Sequence, residues 1–216
     1  MRLTFKKILL AAVLSTSAAF VSAETLRVEI DTSSFTHQGW IDLMFNASSG
    51  NAASSTAQLS NFVGFNTQFV PELSGQTSGS LASGYTMGNL NGTADIFHAV
   101  NFGGKIGFDV DFAGSIGSAI NRSLSTLSVA LYGADQSTLL GHGDPASGAL
   151  VQLYWLSPTS TAASSVTTRV FDSMASVGAA TAISPVPEPS AWLTMGAGLG
   201  LLGLIGRRKR AAAFAV

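Results

Sequence analysis

Few residues in this chain could carry chemistry. Among 216 residues there are three histidines (His37, His98 and His142) and no cysteine. Without cysteine there is no thiol nucleophile, no zinc–thiolate site, no disulfide framework and no lipidated thiol. No histidine lies four residues from another and no HExxH occurs, so zinc has little to bind. His98 follows Phe97 in an apolar stretch and is expected to be packed or half-exposed; His142, in a glycine-rich turn, is expected to be solvated. Gly141-His142-Gly143-Asp144-Pro145-Ala146 fits the GxGxxA spacing. A dinucleotide site needs a helix after that loop to meet the pyrophosphate, whereas Pro145 and Gly148 lead into a strand, so the match is rejected. The GxSxG nucleophile elbow is missing, and a serine–histidine–aspartate triad could arise only from tertiary geometry.

Carboxylates and aromatics offer more. Asp109 and Asp111 stand two apart in an alternating run, so they share one face of a strand. They are either paired carboxylates of the kind glycosidases use or a solvated outer face opposite Phe108, Val110 and Phe112. Asp135 and Asp144, with loop carbonyls, have the hard oxygens that Ca²⁺ takes, yet Asp135-Gln136-Ser137 and Asp144-Pro145 also have the chemistry of turns. Trp40, Tyr85, Tyr132, Tyr154 and Trp155 could stack on sugars or fill a core; adjacent Tyr154 and Trp155 cannot both face inward.

The elements that position these residues are strands. Charged residues make up 11% of the chain against about 25% in ordinary soluble domains, and glycine, serine and threonine are abundant. Period-2 alternation marks Leu26 to Asp31, Ile41 to Phe45, Ile106 to Phe112 and Leu127 to Leu131. Leu150 to Leu156 is a more continuous run and is expected to be a more buried strand, or one wet on neither face. Val166 to Phe171 is a further strand, and Gln58 to Phe65 and Ser80 to Met87 are weaker ones. Thr93 to Val100 is expected to form a short helix, with Asp95 in its first turn. Frequent Gly/Asn turns between short strands give an all-β fold, an antiparallel, jelly-roll-like β-sandwich over residues 24–174. Residues 175–186 are expected to form a flexible stalk.

The two ends read as addresses. Arg2, Lys6 and Lys7, then the apolar run Ile8 to Phe20, then Val21-Ser22-Ala23, make residues 1–23 a secretory signal peptide cleaved between Ala23 and Glu24. At the other end Pro185, Pro187 and Pro189 form an extended hinge. Ala191 to Gly206 carries no charge and would rise about 24 Å as a helix, a single transmembrane segment somewhat short of a ~30 Å hydrocarbon core. Gly196, Gly200 and Gly203 lie along it; the Gly196/Gly200 spacing lets another helix approach closely. Arg207, Arg208, Lys209 and Arg210 form a basic anchor that the positive-inside rule places in the cytoplasm. The bulk charge of −1 conceals a partition: residues 24–186 hold four basic and eleven acidic residues, a formal charge of −7. That body would repel nucleic acid, and no nucleic-acid partner is expected.

The succession of Pro187-Glu188-Pro189, the apolar segment and the basic cluster resembles the PEP-CTERM sorting signal of Gram-negative bacteria, over residues 187–210. The resemblance implies recognition by an exosortase, a membrane-embedded cysteine protease or transpeptidase, with processing near Pro187-Glu188-Pro189. It further implies a link to exopolysaccharide or biofilm. The body loosely echoes exported proteins with this signal, in Phe102-Gly103-Gly104 before a Phe-Asp-Val-x-Phe strand and in a Gly-Asp-Pro turn. The partners expected are signal peptidase, exosortase, the membrane and an extracellular polysaccharide; no cofactor or metal is. Three readings stand: a non-enzymatic exported envelope or matrix protein, a carbohydrate- or calcium-binding module with the same address, and a secreted hydrolase.

Overall fold

The computed structural model describes residues 25–50, 52–90, 92–116 and 122–180. The signal peptide with its cleavage pair Ala23/Glu24, Pro187-Glu188-Pro189, the glycines at 196, 200 and 203, and the basic residues 207–210 lie outside them.

Twelve strands form two six-stranded antiparallel sheets. They are β1 (Leu26–Asp31), β2 (Gln38–Ala47), β3 (Ser55–Val63), β4 (Glu72–Ser74), β5 (Thr77–Ser80), β6 (Gly84–Gly88), β7 (Ala94–Asn101), β8 (Lys105–Gly114), β9 (Leu124–Tyr132), β10 (Val151–Leu156), β11 (Ser165–Val170) and β12 (Ala175–Ala179). The first sheet has the order β12-β1-β8-β3-β6-β5 and the second β11-β10-β9-β2-β7-β4. Strands 1, 8, 3 and 6 thus sit in one sheet and 2, 7 and 4 in the other, so the chain crosses repeatedly between layers, as jelly-roll-like winding requires.

Alternation explains the core. Val28 and Ile30 of β1, Ile41, Leu43 and Phe45 of β2, Ile106, Phe108 and Val110 of β8, and Leu127, Val129 and Leu131 of β9 are all fully buried. Their odd- or even-numbered neighbours face outward. Trp155 fills the space between the layers and stacks on Phe112 at 6.4 Å. It reaches so close to β8 that a Cβ on Gly114 would stand 2.3 Å from its ring. The pair Tyr154–Trp155 divides as the pleat demands, with Trp155 inward.

Three expectations are corrected. Residues 94–101 form strand β7, not a helix: Ala94, Ile96, His98 and Val100 are buried while Asp95 and Phe97 alternate with them. Its ladders with β2 and β4 on either side outweigh a single acidic residue's suggestion of a helix start. The run from Leu150 is not buried on both faces. Val151, Leu153 and Trp155 enter the core, whereas Gln152, Tyr154 and Leu156 are half-exposed. Finally, the domain does not stop at residue 174. Ala175–Ala179, assigned to the stalk, pair along β1 from Ile30 to Leu26, and the chain divides after Ala180. Small side chains suffice at a sheet edge, where the backbone ladder supplies the bonds and only Ala175 and Val177 touch the core.

Candidate functional site

The outer face of the second sheet gathers two carboxyls and four aromatic rings. On β2 and β7 the register sets Trp40 beside Ala99, Asp42 beside Phe97 and Met44 beside Asp95. Asp42 and Asp95 are therefore diagonal neighbours on one face, within reach of each other. In each of them Oδ1 is buried with no hydrogen-bond partner from any other residue. Burial, then the neighbouring Asp95 carboxyl, pushes the Asp42 carboxyl up to about 7. A second carboxyl beside it makes ionisation of Asp42 costlier, in the same direction as burial. The phenol of Tyr132 is pushed up as well, chiefly by burial and then by these two carboxyls.

Rings border the pair. Trp40 lies flat on Phe97 with centroids 5.0 Å apart and planes at 12°. Tyr132 meets Phe97 edge-on at 5.7 Å, and Phe69 meets Trp40 edge-on at 5.9 Å. Trp40 is thereby buried, and Phe69, carried by the segment between β3 and β4, remains 42% exposed. Val70, next to it in that segment, is exposed as well. The result is a group of rings, with exposed Phe69 at its edge, beside the carboxyl pair.

Other candidates have structural employment. Asp109 does lie on the outer face of the first sheet, but it is buried, not solvated. The Arg27 guanidinium donates to its Oδ1 at 3.0 Å and the Asn61 amide to its Oδ2 at 2.6 Å. Asp111 accepts from the Thr25 hydroxyl at 2.6 Å. Arg27 of β1 and Asn61 of β3 thus meet on Asp109 of β8, and Asp111 ties β8 to the residue before β1. Asp135 accepts from the Ser137 and Thr138 amides and the Thr138 hydroxyl, which hold its acid well below the usual range. Asp144 caps its own turn through Ser147 and Ala146. Both are turn residues. No group of three or more His, Asp or Glu side chains able to hold a metal ion exists among the described residues.

His98 is fully buried: its Nδ1 lies 2.8 Å from the Ala99 carbonyl, its Nε2 has no partner, and burial lowers its pKa. His142 is fully exposed, 3.6 Å from Asp172. No serine hydroxyl hydrogen-bonds a histidine among the described residues. Of the five aromatics considered for a sugar platform, Trp40 and Tyr132 reach the acid–aromatic face and Tyr154 lies farther along it, while Tyr85 and Trp155 belong to the core. Sequence reasoning missed Asp42, Asp95, Phe97 and Phe69. Asp42, alternating with Ile41 and Leu43, was legible as an outward residue; Asp95 and Phe97 were hidden by the helix reading, and no local pattern announces Phe69.

Comparison with known proteins bears on the other end of the chain. The family model for the PEP-CTERM protein-sorting motif matches residues 185–210. The chain therefore carries the motif of exported proteins whose envelope-anchored precursors are processed by an exosortase. No curated protein and no solved structure matches the chain.

Proposed function

We propose that this is a non-enzymatic envelope or matrix protein, delivered by its sorting motif and acting through the surface of its sandwich, in association with exopolysaccharide or biofilm. A signal peptidase cuts between Ala23 and Glu24; the apolar segment 191–206 holds the precursor in the inner membrane, with residues 207–210 in the cytoplasm. An exosortase then cuts near Pro187-Glu188-Pro189 and hands the sandwich outward. The observation that carries this reading is the sorting motif at 185–210 behind a folded β-sandwich whose candidate catalytic residues are engaged in turns and strand-to-strand bonds. Intact mass of the protein from envelope and medium, in a host with and without its exosortase, tests it. A C-terminus near Pro187-Glu188-Pro189 only when the enzyme is present is expected. A mass running from Glu24 to Val216 in both strains would show a permanent anchor instead.

The acid–aromatic face favours a second, compatible reading, a carbohydrate-binding module. Sugars offer an apolar ring face to aromatics and hydroxyls to carboxyls, which is the pairing Trp40, Phe97, Phe69, Asp42 and Asp95 present. Tryptophan emission during titration with the host's own polysaccharide should change, and Phe69→Ala should weaken the response; an unresponsive wild type would remove this reading.

A further inference from the structure

Four strands end the two sheets: β12 and β5 in the first, β11 and β4 in the second. An edge strand leaves backbone donors and acceptors open to any strand that can align with it, and proteins blunt such edges with shortness, charge, proline or bulges. β4 has three residues and carries Glu72; β5 has four, with Gly79 at φ 115°. β12 has five, including Gly178. β11, Ser165-Val166-Thr167-Thr168-Arg169-Val170, is the longest of the four and has no acid, lysine, proline or glycine. Its valines and threonines suit a paired strand.

The core-ward face of β11 is also largely uncovered. Val166, Thr168 and Val170 stand opposite Trp155, Leu153 and Val151 of β10, whose side chains fill the core. The pleat therefore turns these three toward the core side of the sheet. Val166 packs against the core, but Thr168 is exposed and Val170 is 43% exposed. The same three residues hold the spare backbone groups. The Phe171 amide donates to the Leu150 carbonyl. The alternation of antiparallel bonds then gives β10 the N–H and C=O groups of Arg169 and Thr167, and turns those of Val170, Thr168 and Val166 away from it. No described strand takes them up.

We propose that β11 pairs with β11 of a second copy, antiparallel about a two-fold axis at Thr168, joining two six-stranded sheets into one. The strand's match to itself selects this occupant. Only this register engages all three outward residues, with Val166 of each copy opposite Val170 of the other and Thr168 opposite Thr168. It makes about six backbone hydrogen bonds between the copies. On the core side it sets valine beside valine and threonine beside threonine, pairs that stabilise sheets, and it covers Val170. On the other side Arg169 faces Thr167 of the second copy, so no like charges meet. The Arg169 guanidinium lies over the Phe171 ring of its own chain, 4.7 Å from the centroid. A two-fold pair consumes both β11 edges and closes on itself.

Sedimentation equilibrium of the full chain in excess non-ionic detergent tests the pairing. The wild type should associate to a dimer. Thr168→Lys and Thr168→Glu each set like charges face to face on the axis and should weaken association roughly tenfold or more. An equimolar mixture of the two should recover it, because lysine then faces glutamate. Thr168 is exposed, so both variants should keep the parent's far-ultraviolet circular dichroism. A monomeric wild type, a mixture that stays monomeric, or a dimer that survives Thr168→Lys, as one held by the apolar tail would, overturns the proposal.

Discussion

Asp42 and His98 give the molecule opposing pH dependences. Asp42 has a folded pKa raised from the ordinary aspartate value to about 7. The folded state therefore holds a proton the unfolded chain has already lost, and stability falls as pH rises through that window. Asp42→Asn should flatten this decline and leave the protein about 1–3 kcal/mol more stable than wild type at pH 8, after allowance for solvent screening, with little gain at pH 4. Thermal melts at both pH values decide it, and an Asp42→Asn variant that gains no more at pH 8 than at pH 4 would contradict the raised Asp42 pKa. His98 works the other way: its folded pKa is lowered, so its contribution is present above the ordinary histidine value and is lost as pH falls through the folded one. Replacing it by methionine, of similar bulk, removes the unpartnered Nε2. The Ala99 carbonyl keeps the Asn66 amide as donor. His98→Met should be neutral to about 2 kcal/mol stabilising near neutrality and should resist acid better than the parent.

Strands whose neighbours are distant in sequence bear the greatest constraint. Gly39, in β2, has no room for a side chain: a Cβ there would lie 1.9 Å from the Phe102 ring and 2.7 Å from the Tyr132 carbonyl, which is backbone. Gly39→Ala should cost about 1–3 kcal/mol in chemical denaturation and loosen the Trp40 end of the acid–aromatic face. The last strand tests the domain boundary. A chain ending at Ala180 keeps the β1–β12 ladder, whereas one ending at Met174 exposes β1 as an edge and uncovers part of the core. The shorter chain should melt at a lower temperature; equal melting would return Ala175–Ala179 to the stalk. These small residues looked like linker because edge pairing draws on backbone donors and acceptors, which composition does not display.

At the scale of the molecule, sorting and folding are separable. Glu188→Ala alters the matched motif, which lies outside the described residues. It should cause an unprocessed form ending at Val216 to accumulate, with the melting curve of the body unchanged. A fall in melting temperature would mean that the tail contributes to the fold.

The sequence by itself determined the address, the all-β class and most of the core. Sorting enzymes read extended peptides, so Pro187-Glu188-Pro189, the apolar run and the basic cluster are legible without a fold. Likewise a strand with one wet face writes its burial into alternate residues, as Ile106 to Phe112 does. Only the tertiary structure decided that Asp42 and Asp95 meet on one sheet face, that Phe69 closes on Trp40, and that Asp109 is bound by Arg27 and Asn61. Each depends on the register between strands separated by tens of residues. Moving one strand by a single residue would turn its side chains to the other face, and local composition carries no record of that choice.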